Sequence, residues 1–146
     1  MNEINTGFTP TEWKVLVKSP LVVFLFVAAS DGKVQPAEVT AFQQVLAGAQ
    51  RYKSALLDRL LSELAPQFSM VLSEVLVRVQ DAGRVLSETR DIVDARLPGE
   101  QALLFKQSLF YLGNQLARAS AGPGELPERK AEALMTLARV LGLLPA

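Results

Sequence analysis

The chain is predicted to be all-α, a compact bundle of about seven helices. Three observations carry this. Apolar residues recur at helical spacing from end to end, no segment alternates as a half-buried strand does, and proline and glycine fall where helices start and stop. At 146 residues, 49% of them hydrophobic, residues 1–146 form one domain able to bury a substantial core. Residues 1–8 are the segment expected to be loose.

The elements follow in order. Thr9-Pro10-Thr11-Glu12 combines a capping hydroxyl, a proline at the first helical position and a glutamate three residues after the cap. It opens a short helix carrying Trp13, Val15, Leu16 and Val17, with Trp13 expected to staple it to the bundle. Ser19-Pro20 repeats the cap-and-proline signal and starts a second helix through about Ala29, apolar all round and therefore expected to be buried on every side. Its run Leu21–Ala29 falls well short of the roughly 20 residues that cross a bilayer, and it lacks the layout of a signal peptide, so a cytoplasmic chain without a membrane span is expected.

Asp31-Gly32 breaks that helix and Pro36 begins the next, whose stripe Val39, Phe42, Val45 and Leu46 runs towards Gly48. Leu56, Leu57, Leu60, Leu61 and Leu64 make a further face that Pro66 should stop. Leu72, Val75, Leu76 and Val79 make another, ending near Gly83. Val85, Leu86, Thr89, Ile92 and Val93 follow as far as Leu97-Pro98-Gly99, then a long helix from Glu100 to Ser120 and a last one from Glu128 to Gly142. Setting Gly32 over Gly124 aligns Val34 with Leu126, Phe42 with Leu134 and Val45 with Leu137, which suggests a weak internal two-fold repeat.

Composition narrows function. Fifteen basic residues balance fifteen acidic ones without clustering, which argues against nucleic acid. Without histidine or cysteine the chain has no disulfide, no thiolate nucleophile and no nitrogen or sulfur ligand for zinc. Gly122-Pro123-Gly124 lacks the strand and the Lys-Ser/Thr of a phosphate-binding loop, and no carboxylate pair is singled out by a motif, so no enzyme is expected.

The segment from Pro20 to Leu46, with its Ala28-Ala29-Ser30-Asp31-Gly32-Lys33-Val34 turn and Glu38, resembles the TerB-like helical family of tellurite resistance. That family's signature is an apolar helix ending in Ala-Asp-Gly, a short hydrophobic link and a glutamate early in the next helix. The closing stretch from Leu134 to Leu143, with its Leu-Gly-Leu ending, is similar to the family's final helix. The resemblance implies a seven-helix, non-enzymatic bacterial module of tellurite resistance and stress response. It also implies metal sensing or binding, with Asp31 and Glu38 as its acidic residues, and a link to membrane-associated defence and co-chaperone systems. The second corner departs from the pattern: Ala121, Gly122, Pro123 and Gly124 include no aspartate, and Lys130 stands where Glu38 aligns.

Were the two corners side by side, Asp31, Glu38, Glu125 and Glu128 would gather four carboxylates, the oxygen donors that calcium or magnesium prefers. The competing assignment makes Asp31 a turn residue and Glu38 and Glu128 partners of a helix N-terminus. Glu88, Asp91 and Asp94 form a second acidic series, with Arg84 and Arg90 placed to pair with Glu88 and Asp94. Three functions stay open: a module that binds a partner protein and a divalent cation, a structural adaptor or homodimer without metal, and a small-molecule or lipid-binding bundle with a pocket among Phe24, Phe26, Phe105 and Phe110. Peripheral association with a membrane is compatible with the first.

Overall fold

The computed structural model describes residues 7–31, 36–48, 52–77, 79–121 and 128–144. Among them there is helix and no strand. In chain order the helices are α1 (Pro10–Ala28), α2 (Pro36–Leu46), α3 (Ala55–Leu64), α4 (Phe68–Val77), α5 (Ala82–Arg96), α6 (Gly99–Ala121) and α7 (Glu128–Val140). A 3-10 turn, Ala65–Gln67, carries α3 straight into α4, so Ala55–Val77 is one continuous stretch and the described residues form six helical rods.

α1 is the axis of the bundle. It packs against α3, α4, α5, α6 and α7. Leu21, Val22, Val23, Phe24, Leu25, Val27 and Ala28 are all buried, as an all-apolar helix requires. Its N-terminus carries the expected capping box: Thr9 Oγ1 accepts from the Glu12 N–H at 3.1 Å, and Glu12 Oε1 accepts from the Thr9 N–H at 2.9 Å. The Glu12 carboxylate also takes a two-pronged contact from Arg96, at 3.1 Å on each oxygen, which ties the end of α5 to the start of α1. The Thr9 N–H first, and Arg96 with it, hold the Glu12 carboxyl below its ordinary value of 4.5. Trp13 is buried, tilts against Phe8 at 5.9 Å and donates Nε1–H to Glu63 at 3.1 Å, the staple expected of it.

Two prolines act differently from the sequence expectation. Pro20 lies inside α1 rather than opening a second helix. A proline there has no N–H for the carbonyl four residues back, that of Leu16. Ser19 supplies the missing donor: its hydroxyl, fully buried, donates to Leu16 O at 2.7 Å. The serine read as a cap is thus a patch in a continuous helix. Pro66 also fails to stop the chain: the backbone tightens into the 3-10 turn, and beside it Gln67 Nε2 donates to the Glu63 carbonyl at 3.0 Å. Gly83, expected to end the preceding helix, sits within the first turn of α5.

Gly113 of α6 sets how closely the central helices approach. A methyl group there would stand 2.8 Å from Leu137 Cδ2 and 3.2 Å from Val23 Cγ1. α7 ends at Gly142, with φ +81°, where the Gly142 N–H donates to Arg139 O and the Leu143 N–H to Ala138 O. Of the second acidic series, Arg84 approaches Glu88 at 4.0 Å, but Arg90 contacts Asp91 at 3.1 Å, and Asp94 pairs instead with Lys106 of α6 at 2.8 Å.

Ser19→Ala should leave the Leu16 carbonyl buried without a donor and lower the unfolding free energy by about 1–3 kcal/mol in urea melts. Ser19→Ala combined with Pro20→Ala, which restores the backbone N–H, should recover most of the loss.

Candidate functional site

The end of α1 meets the first turns of α2 and α7. The chain leaves α1 through the 3-10 turn Ala29–Asp31, and that turn packs on α7. Glu38, in the first turn of α2, is 1% exposed, and Lys130, in the first turn of α7, is 2% exposed. Their side chains form an ion pair with Lys130 Nζ 2.8 Å from Glu38 Oε2. The ammonium also points at the last carbonyls of α1, 3.4 Å from Val27 O and 3.5 Å from Ala28 O.

This arrangement follows from where the charges stand in their helices. Glu38, Phe42 and Val45 form one buried stripe of α2, while Lys130, Leu134, Leu137 and Leu141 form that of α7. Each charge heads an apolar stripe, so packing the stripes drives both charges inward. There Glu38 meets the positive end of its own helix, and the Lys130 ammonium meets the negative end of α1. An uncompensated charge so deep would cost several kcal/mol, whereas the pair with its carbonyls supplies each ion with partners. Among the described residues, no buried side-chain nitrogen or oxygen lacks a hydrogen-bond partner.

The four carboxylates expected to share a cation fare unequally. Glu38 faces Lys130. Glu128, two residues before Lys130 and hence on the far side of α7, is exposed. Asp31 closes the 3-10 turn, its side chain lying outside the described part, and Glu125 lies outside the described residues, as do Gly32 and Gly122-Pro123-Gly124. Among the described residues no three acidic side chains gather as a metal would need. Lys130 is the residue that carboxylate counting overlooks. Its signal is a lysine at the head of an otherwise apolar stripe.

The aromatic pocket is occupied by the core itself. Phe24 and Phe105 are buried, and Phe24 stacks on Phe42 with centroids 5.0 Å apart and planes within 4°. Phe110 reaches instead the wall of a surface groove between α6 and α7. Nearby, the buried Tyr52 hydroxyl donates to Gln115 Oε1 at 2.7 Å, and burial, aided by Tyr111 and Asp58, pushes its pKa up, so it stays a donor.

Two grooves open on the surface of the described residues. One is a groove of about 490 Å³ between α1, α4 and α5, in which Val15, Val22, Val75 and Val85 alternate with the charged Lys18, Glu74, Asp81, Arg84 and Glu88. Beside it α4 exposes Met70, Leu76 and Val77. The continuous stretch Ala55–Val77 is long and apolar enough to cross a membrane by length and composition, with an 18-residue window of mean hydropathy 1.3. Its first half buries Leu57, Leu60, Leu61 and Leu64 in the core. In comparisons with protein-family models, curated proteins and solved structures, the chain matches none.

With its negative charge answered by an ammonium, Glu38 should not recruit a hard cation. Millimolar calcium or magnesium is expected to leave the amide resonances of Glu38 and Lys130 and the melting temperature unchanged. A rise in melting temperature that Glu38→Gln abolishes would show that a cation shares the site.

Proposed function

We propose that the chain is a non-enzymatic TerB-like helical module of bacterial tellurite resistance and stress response, cytoplasmic, acting by binding a partner protein. The observation that carries the binding is α4, which leaves Met70, Leu76 and Val77 in water, with Val77 in the wall of a groove whose valines are ringed by Lys18, Glu74, Asp81, Arg84 and Glu88. Large apolar side chains left exposed along one helix mark a surface that another molecule can cover. The family reading is supported by the apolar α1, its turn at Ala29–Asp31 and the buried Glu38 of α2, the elements that carry the resemblance. The internal repeat gains support from the same corner: Glu38 and Lys130 occupy equivalent places in the register that sets Gly32 over Gly124, and residues exchanged by a two-fold touch only near its axis. A divalent cation is not part of this reading, because the carboxylate at the centre of the corner already has its counter-charge.

Leu76→Glu with Val77→Glu tests it. Both positions are exposed, so the double variant should melt within about 0.5 kcal/mol of the parent. In a host lacking the gene, the parent should restore growth on tellurite and the folded variant should not. Equal growth with both would remove the proposal. A parent that light scattering finds dimeric, with a monomeric variant, would replace it with the homodimer. Sedimentation with lipid vesicles, lost in the variant, would replace it with a membrane surface.

A further inference from the structure

A second groove, of about 350 Å³, lies between α6 and α7 on a different face. Phe110, Leu134, Met135 and Ala138 line it, and Leu143 and Leu144 border one part of it. Met135 and Leu144 are exposed. Among its lining residues one carries a charge, Arg118. Arg118 Nε donates to Asn114 Oδ1 at 3.3 Å, and among the described residues the guanidinium has no ion pair. Among the described residues no carboxylate lines the groove.

An apolar trough with one cation calls for an occupant that is apolar along its length and negative at one point. Phe110 and Arg118 are eight residues apart on α6, a span of about 12 Å along a helix. A helix lying beside α6 covers that span in the same number of residues. We infer that this groove docks a short amphipathic helix of a partner protein, with leucine-like anchors over Met135 and Leu144 and an acidic residue two turns away on Arg118. Methionine suits such a surface, since its flexible thioether adapts to the anchors of a docked helix. This goes beyond the α4 reading and uses a separate surface, so either can fail while the other stands.

The probe is a fluorescein-labelled synthetic helix with leucines at i, i+4 and i+7 and glutamate at i+8, beside a twin carrying lysine at i+8. Fluorescence anisotropy with the full chain should favour the glutamate peptide by roughly three- to fivefold, the effect of an exposed ion pair. Arg118→Glu should reverse that preference. Met135→Glu and, independently, Leu144→Glu should abolish saturable binding with circular dichroism unchanged. Equal affinity for the two peptides, no saturable binding of either, or a preference that survives Arg118→Glu would overturn the inference. Displacement of the bound peptide by decanoate but not by decanol would assign the groove to a fatty carboxylate instead and overturn it as well.

Discussion

One buried ion pair organises this bundle. Glu38 and Lys130 are brought together from residues far apart in the chain, and they meet at the point where α1 ends. The pair is held by three helix ends at once. The first turn of α2 favours the carboxylate, the last carbonyls of α1 favour the ammonium, and each ion answers the other. Lys130 in the first turn of α7 opposes its own helix dipole, a cost that the α1 carbonyls offset. Such pairs stabilise less than apolar residues of the same shape would, yet removing either partner strands the other. Their effect is to fix one arrangement of the corner, so that α2 and α7 cannot slide along α1 without separating the charges.

The same economy appears along α1. Its second half, residues 21–28, is apolar on every side because helices surround it, and the whole helix must be unbroken because they share it. Pro20 would interrupt it, and Ser19 closes the gap at Leu16 with a side-chain hydroxyl. Gly113 lets α6 approach until Val23 and Leu137 fill the space that a methyl group would need. Arg96 and Arg90 hold the periphery, one on Glu12 at the start of α1 and the other on the Val140 carbonyl at the end of α7.

Helix positions are legible in the sequence because the apolar stripes are long and their period is clear. The boundaries are less so, and for a definite reason. A proline announces a lost hydrogen bond, but whether the helix ends depends on what replaces that bond. At Pro20 the replacement is Ser19, whereas at Pro66 the backbone tightens into a 3-10 turn and Gln67 Nε2 holds the neighbouring Glu63 carbonyl. Neither substitute follows from local propensity, since Ser-Pro reads equally well as a cap. The candidate site is legible in its location, and one of its two buried charges is not. Glu38 stands out as an acid early in a helix, whereas Lys130 looks like the loss of a matching acid. Only when both helices are packed does the exchange of sign become complementarity.

The functional reading inherits this structure: a fixed corner within, and two grooves without, a mixed one beside α4 and an apolar one between α6 and α7. The corner's role is tested most directly by a double-mutant cycle in urea, using Glu38→Gln, Lys130→Met and the two together. Each single change should cost about 3–5 kcal/mol, and the double change should cost clearly less than their sum, since no charge is then left alone in the interior. Small and additive losses would mean that the two side chains do not depend on each other, and the account of the corner would be wrong.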